Sequence, residues 1–191
     1  MSARFLTIAV LALSCFSSFA HGQEKTSRQL WVSSRDGAGG KGKPGIYIYD
    51  IDNGHKLVKF HAMPELAGTR GMCGCAKTGK LWIAHNDDKV LCFDVKREKI
   101  VWEKRYPKEE GGCDRIGVTP DGAKLYVPSG WWSAGKNVKV LDAETGTLIK
   151  TIEVAAKGGL HNLIVSSDGK QIVVGSTRED MLTVIDPVKD E

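Results

Sequence analysis

Short runs of apolar residues recur along the chain, and turns rich in glycine and aspartate separate them. Three stretches show the pattern most clearly: GMCGCAKTGKLWIAHN, DRIGVTPDGAKLYVPSG and GLHNLIVSSDGKQIVVGS. In each stretch, an apolar run leads into a tight turn that ends in glycine, and a second apolar run follows. This order is typical of a β-hairpin, because glycine and aspartate tolerate the positive φ that tight turns require.

Two landmarks show that the pattern is a long repeat. The turn glycines Gly79, Gly122 and Gly169 are 43 and 47 residues apart. An aspartate ends four β-type runs and recurs after 44, 48 and 44 residues, at Asp50, Asp94, Asp142 and Asp186. Each unit holds four short strands, which we call a, b, c and d. A period of about 40–50 residues with four strands is the signature of a β-propeller blade.

The predicted fold is therefore all-β, a β-propeller of four-stranded antiparallel blades with about four blades present. We place the blades at about residues 29–66, 67–110, 111–157 and 158–191. QLWVSS, the first run, aligns with strand b, and LTVID, the last, aligns with strand c. We thus expect an incomplete ring whose first and last sheets each lack a strand, as part of a longer propeller. A four-bladed ring without two strands is the alternative, and it leaves open sheet edges.

The repeats also resemble a known family. VTPDGAKLYV…VKVLDAETGTLIKTIEV and GLHNLIVSSDGKQIVVGS…LTVIDP are similar to the YVTN-type propeller repeat, over about residues 29–191. YVPS and VVGS stand in place of the tetrapeptide YVTN, and Leu160 stands where the family has proline before its histidine. The resemblance implies a propeller shape more than an activity, since the family is functionally broad.

The amino terminus has the layout of a secretory signal peptide. Residues 1–22 open with the basic MSAR, continue with the apolar FLTIAVLAL and end with small residues around Ala20. This run is too short for a permanent membrane span, and residues 23–28 form a short linker. We expect a periplasmic or secreted protein. An uncleaved anchor and a lipoprotein lipidated at Cys15 are the alternatives.

Composition excludes some classes of function. Hydrophobic residues make up 41% and charged residues 26% of the 191 residues, which is ordinary for a globular protein. The net charge of +4 comes from interspersed residues, so we expect no nucleic-acid partner. The sequence has no CxxCH motif, no phosphate-binding loop and no Gly-x-Ser-x-Gly elbow, and we predict no cofactor.

Four cysteines remain after the signal peptide. Cys73, Cys75 and Cys92 align with aliphatic residues of the other repeats, which favours buried thiols. A disulfide between Cys73 and Cys113, on neighbouring inner strands, is the alternative in an oxidising compartment. Cys73, Cys75 and His85 lack a standard metal-ligand spacing, so we predict no metal site.

Candidate ligand-binding residues gather at one mouth of the predicted propeller, where strand a begins and strand b ends. Two adjacent tryptophans in the loop GWWSAGKN either cover the blade edge or contact a ligand. The histidines are either solvated residues at the channel entrance or ligand contacts. We expect Asp114 to pair with Arg70 or Arg115. The candidates are Arg70, His85, Asp114, Trp131, Trp132 and His161.

These observations favour a non-catalytic, extracytoplasmic binding or scaffold module that holds a protein or small-molecule partner at this face. The alternative is a propeller enzyme or enzyme subunit, because YVTN-type repeats resemble the propellers of quinoprotein amine dehydrogenases and of lactonases. In that case Arg70, Asp114 and His161 would lie near the substrate. The sequence supplies no complete catalytic set, so we assign no catalytic residue.

Overall fold

The computed structural model describes residues 28–35, 42–106 and 112–191. The signal peptide at 1–22, Cys15 and most of the linker lie outside these residues. The described residues form strands and short 3₁₀ turns, the latter at Ile51–Asn53 and Pro64–Gly68. None of the helical segments in these ranges is long or apolar enough to cross a membrane. The all-β prediction is confirmed.

Fourteen strands are present in the described part of the chain. They are β1 (Gln29–Ser34), β2 (Gly45–Asp50), β3 (Lys56–Ala62), β4 (Thr69–Cys75), β5 (Lys80–His85), β6 (Lys89–Asp94), β7 (Lys99–Arg105), β8 (Gly117–Val118), β9 (Lys124–Pro128), β10 (Asn137–Asp142), β11 (Leu148–Glu153), β12 (Leu160–Val165), β13 (Ile172–Ser176) and β14 (Leu182–Ile185).

The strands form four antiparallel sheets, each a simple meander in chain order. Sheet 1 is β1-β2-β3, sheet 2 is β4-β5-β6-β7, sheet 3 is β8-β9-β10-β11 and sheet 4 is β12-β13-β14. Sheets 1 and 4 have three strands, which correspond to b-c-d and a-b-c of the predicted unit. Within the described residues no strand ladder joins β14 to β1, so no closed ring is present.

The repeated glycines and aspartates form the turns that the sequence predicts. Gly79, Gly122 and Gly169 have φ of 65°, 75° and 69°, in the left-handed region that favours glycine. The repeated aspartates lie at the ends of the c strands, where they accept backbone N–H bonds of the following turn; Asp142 Oδ1, for example, accepts from Thr145 N at 2.8 Å. An aspartate suits this position because its short carboxylate reaches its own turn.

The sheets pack face to face in chain order, and each neighbouring pair encloses an apolar cluster. Ile83 lies in the cluster between sheets 1 and 2, whereas Trp82 lies in the cluster between sheets 2 and 3. Tyr126 and Val138 lie between sheets 3 and 4. Alternate residues of one strand thus point to the preceding and the following sheet, as the two-residue period of a strand requires. The central strands of each middle sheet, such as β6 and β10, are buried on both faces, whereas the outer strands β7 and β11 are largely exposed.

Side-chain hydrogen bonds also join neighbouring sheets. The indole Nε1 of Trp82 in sheet 2 donates to the carbonyl of Ala143, just after β10 of sheet 3, at 2.9 Å. Asp190, which follows sheet 4, accepts from Tyr126 of sheet 3 at 2.5 Å and from Lys124 at 2.6 Å. These bonds satisfy the polar ends of buried side chains and set the spacing of the sheets.

The two outer faces of the stack carry apolar residues at positions that are buried in the other repeats. Leu182 of sheet 4 is 71% exposed, while its repeat equivalents Val90 and Val138, each four residues before the repeated aspartate, are fully buried. On sheet 1, Val32 is exposed, and its equivalent Ile83 is buried. The same position is therefore exposed or buried according to whether a neighbouring sheet covers it.

All four described cysteines are free thiols. Cys75, Cys92 and Cys113 are buried, and Cys73 is partly buried, so the alternative of a Cys73–Cys113 disulfide is not realised. Cys113 Sγ instead lies 2.9 Å from the carbonyl of Lys89 and 3.3 Å from that of His85. The thiol therefore ties the start of the third repeat to strands β5 and β6 of sheet 2.

Candidate functional site

The a strands begin and the b strands end at the same edge of the stack. Backbone hydrogen bonds join these ends within each repeat: Asn86 N donates to Gly68 O, and Thr177 N donates to Gly159 O, both at 2.9 Å. We call this edge the loop edge. The Asp-Gly turns lie at the opposite edge, and their aspartates are occupied by hydrogen bonds within the turns, such as Asp121 with Thr119.

Asp114 and His161 form a close pair on the loop edge. The carboxylate of Asp114 is almost completely buried, with 2% of the side chain exposed, and its Oδ2 lies 2.5 Å from His161 Nδ1. The same oxygen accepts a longer bond, 3.4 Å, from the backbone N–H of Trp131. A carboxylate at Nδ1 holds the proton on that nitrogen, so in the neutral ring Nε2 is left as an acceptor.

This pair corrects one expectation from the sequence. Asp114 does not form the predicted ion pair with Arg70 or Arg115, because its carboxylate is turned to His161 and to the backbone of Trp131. The two partners lie 47 residues apart in neighbouring repeats. The pair therefore bridges the loop edges of the third and fourth repeats.

The two tryptophans have different environments. Their rings meet edge to face, with centroids 5.9 Å apart and planes at 88°. Trp132 packs over Gly130, whose φ is 100° and whose missing side chain would lie 2.9 Å from the indole ring. Trp131 is 48% exposed. Trp132 thus packs against the protein, which agrees with the interpretation that the tryptophans cover the blade edge. Trp131 presents a large aromatic surface to solvent.

Arg70 lies on the indole face of Trp132. Its guanidinium carbon is 4.3 Å from the ring centroid, a cation–π distance. The Nε of Arg70 is buried and has no hydrogen-bond partner within the described residues. A buried N–H without an acceptor is uncommon in folded proteins, so Arg70 is a candidate functional residue.

A polar cleft of about 420 Å³ opens beside this stack. We call it the Arg70 cleft. It lies between the loops of the second and third repeats, and its lining residues are Arg70, Asn86, Asp88, Gly112, Trp132, Ser133 and Ala134.

His85 is held by the backbone of its own repeat. It is buried, with Nε2 at 3.0 Å from Gly68 N and Nδ1 at 3.1 Å from Asp87 N. Burial, followed by the charge of Lys89, lowers the pKa of His85. A neutral ring suits this position, because it keeps one ring nitrogen as an acceptor for a backbone N–H, whereas a protonated imidazole has none. His85 therefore supports the loop at the end of β5, and it does not line the Arg70 cleft.

Several residues outside the six candidates complete the site, and two of them, Asn86 and Arg178, lie at strand b ends that the sequence places at this mouth. Asp88 and Asn86 line the Arg70 cleft, and the left-handed backbone of Asp88, with φ of 55°, turns the chain between β5 and β6. Arg178 donates to the carbonyl of Trp132 at 3.3 Å and thereby braces the tryptophan loop from the fourth repeat. The tetrapeptide HNDD at the end of β5 was the available signal for Asn86 and Asp88.

Within residues 28–35, 42–106 and 112–191, no three His, Cys, Asp or Glu side chains are grouped so that they could hold a metal ion. The candidate triplet Cys73, Cys75 and His85 is not such a group.

Comparison with known proteins leaves the chain without an assigned family. The sequence matches no family model, and no curated protein matches it. Interpretation of the site therefore rests on its own residues and their geometry.

Proposed function

We propose that this protein is an extracytoplasmic β-propeller module that binds a ligand or partner at its loop edge. The observation that carries the proposal is the contrast between the two edges. The aspartates of the Asp-Gly turns are occupied within their own turns. The loop edge presents the exposed ring of Trp131, and beside it lies Arg70, whose buried Nε has no partner among the described residues. Exposed aromatic surface beside unsatisfied polar groups is typical of a binding site on a rigid scaffold.

The propeller assignment rests on the repeat and on the stacking of the sheets. Strands β4, β8 and β12, which open the second, third and fourth repeats, lie beside one another. The sheets stack in chain order, as blades do around a central axis. The extracytoplasmic location rests on the signal-peptide layout of residues 1–22.

A pull-down from extracytoplasmic extract, followed by titration of the captured component, tests the proposal. The reference is the unchanged chain, and the variants are Trp131→Ala and His161→Ala, which alter the loop edge only. We expect each variant to weaken binding at least about tenfold, since exposed aromatics dominate binding energies. Thr145→Ala, at a turn between β10 and β11, is the matched control and should leave the affinity unchanged. Equal affinity of all four proteins would contradict the proposal.

An enzymatic role is the second candidate, and the Asp114–His161 pair favours it. A buried carboxylate that fixes the imidazole tautomer prepares Nε2 to accept a proton, as a general base does. Lactone hydrolysis is the reaction to assay, because the sequence resembles YVTN-type repeats, which are similar to the propellers of lactonases. We expect His161→Gln to abolish any hydrolysis measured, while Trp131→Ala retains it in part. Hydrolysis that is unaffected by His161→Gln would exclude the pair as its catalyst.

A further inference from the structure

The Arg70 cleft contains two opposite charges that do not neutralise each other. Arg70 and Asp88 both line it, yet they form no ion pair with each other. A neighbouring charge does pair: Lys89 lies 3.5 Å from Glu103. Opposite charges held apart in one partly enclosed cleft are each left to interact with a third group.

Trp132 fixes the cationic side of the cleft. The guanidinium of Arg70 is stacked on the indole, which restricts its orientation, and its buried Nε lacks an acceptor. The planar fork of a guanidinium matches the two oxygens of a carboxylate. A carboxylate bound in the cleft would meet this guanidinium and leave its stack with Trp132 intact.

The anionic side of the cleft is the carboxylate of Asp88, which lies close to Gly112 and to the ring of Trp132. A methyl group at Gly112 would collide with Asp88 Oδ1 and would lie 2.8 Å from Cζ2 of Trp132. The carboxylate of Asp88 and the edge of the indole therefore flank the same glycine. Asp88 itself is mostly buried, and within the described residues its side chain has no ion-pair partner. An ammonium group is the complement that such a carboxylate prefers.

We propose that the Arg70 cleft binds a small zwitterion of the α-amino acid class, with its carboxylate on Arg70 and its ammonium on Asp88. The inference names a ligand class for the loop edge and rests on the proposed binding function. Asp88 repels a simple anion and Arg70 repels a simple cation, so each charge selects against a ligand with only one of the two groups. The amide of Asn86 adds a donor and an acceptor, and about 420 Å³ is ample for such a ligand.

Titration of the isotope-labelled full chain with three small probes tests this inference. The probes are glycine, acetate and methylammonium at constant ionic strength, and the readout is the indole N–H signal of Trp132, assigned with Trp132→Phe. We expect glycine to bind at least about tenfold more tightly than either singly charged probe, because it alone satisfies both charges.

Variants that remove one of the two charges should change the ligand preference of the cleft in opposite directions. Arg70→Gln should weaken glycine binding at least about tenfold and remove its advantage over methylammonium. Asp88→Asn should remove the advantage of glycine over acetate. Arg70→Lys keeps the charge, so weaker binding with the glycine preference retained is expected. Asp180→Asn and Arg115→Gln, both exposed, are the matched controls and should leave all three affinities unchanged. Thermal unfolding of each variant shows that it is folded.

Each outcome decides the inference. Acetate binding equal to that of glycine would overturn it and leave a simple anion site. Methylammonium binding equal to that of glycine would overturn it in favour of a cation site. If no probe shifts the Trp132 signal while a partner sensitive to Trp131→Ala is captured, the zwitterion inference fails and the proposed function stands. If neither a probe nor a partner binds, both fail.

Discussion

Asp114 links three parts of the loop edge, although it is a single buried carboxylate. It accepts from His161 in the next repeat and from the backbone of Trp131 in its own repeat. Removal of a buried acceptor leaves its donors without partners, which costs more than the net value of the bonds themselves. The position of the exposed Trp131 ring therefore depends on a residue that is itself inaccessible.

Replacement of Asp114 tests this dependence. We expect Asp114→Ala to lower the free energy of unfolding by about 1–3 kcal/mol, because His161 and the Trp131 N–H lose their acceptor. Asp114→Asn retains one acceptor oxygen and should cost less. Urea unfolding of the three proteins measures the difference. An unchanged unfolding midpoint in Asp114→Ala would show that the pair contributes nothing to stability.

The buried thiols predict a loss of stability at alkaline pH. Burial raises the pKa of Cys92 and of Cys113 to about 12, from an ordinary value of 9.0. Between these values the unfolded chain loses a proton that the folded chain keeps, so stability present below pH 9 falls as the pH rises. The slope is about 1.4 kcal/mol per pH unit for each thiol.

Urea unfolding between pH 8 and pH 10.5 measures this slope. Cys92→Ala removes one of the titrating groups, so its stability should fall less steeply with pH than that of the unchanged chain. The comparison cancels the contributions of lysines and tyrosines, which both proteins share. The same slope in both proteins would be inconsistent with a strongly raised pKa at Cys92.

At the scale of the element, the same turn recurs in different surroundings. Gly79 and Gly122 both have positive φ, but only one of them is crowded. A methyl group at Gly79 would meet nothing within 4 Å, whereas one at Gly122 would lie 2.5 Å from Cγ2 of Thr78 and 3.0 Å from Sγ of Cys75. The turn between β8 and β9 thus packs against the neighbouring turn of sheet 2.

A matched pair of substitutions separates backbone strain from packing. Gly79→Ala should lower the free energy of unfolding by about 1 kcal/mol, the cost of a left-handed backbone for an L-residue. Gly122→Ala carries the same strain and adds a clash with sheet 2, so we expect a clearly larger loss. Thermal or urea unfolding ranks the two variants. Equal losses would mean that the turns do not pack against each other.

At the scale of the whole molecule, the stack of sheets repeats one interface. At each interface, one face of a sheet packs against the opposite face of the next sheet in chain order. The apolar clusters between the sheets lie at equivalent positions. The outermost faces keep the same apolar pattern without a neighbour, at Val32 on sheet 1 and Leu182 on sheet 4. The repeat pattern thus predicts how much a side chain contributes to stability only where an adjacent sheet covers it.

Substitution of repeat equivalents measures the value of that neighbour. Leu182→Ala should change the free energy of unfolding by less than about 0.5 kcal/mol, because the side chain is mostly exposed. Val138→Ala removes a fully buried side chain at the equivalent position and should cost about 2 kcal/mol. Urea unfolding at low protein concentration compares them. A loss at Leu182 as large as that at Val138 would show that the outer face of sheet 4 is covered.

The sequence by itself determined the repeat, the turns and the two faces of each strand. These properties are local: a positive φ selects glycine, an aspartate caps its own turn, and alternation assigns side chains to opposite faces of a strand. The hairpins, the four sheets and the burial of Cys92 follow from them. The edge that carries Arg70, Asp114 and His161 follows too, because register fixes where each strand begins.

The tertiary structure alone decided which of these side chains meet. Asp114 pairs with His161 and not with the arginines, because the stacking of the third repeat on the fourth brings the imidazole to 2.5 Å from its carboxylate. The Arg70 cleft likewise exists only where the loop of Asp88 in one repeat faces Trp132 of the next. Sequence periodicity states what each repeat contains, but contacts between repeats depend on the distance and angle between sheets, which the packing of their apolar faces sets.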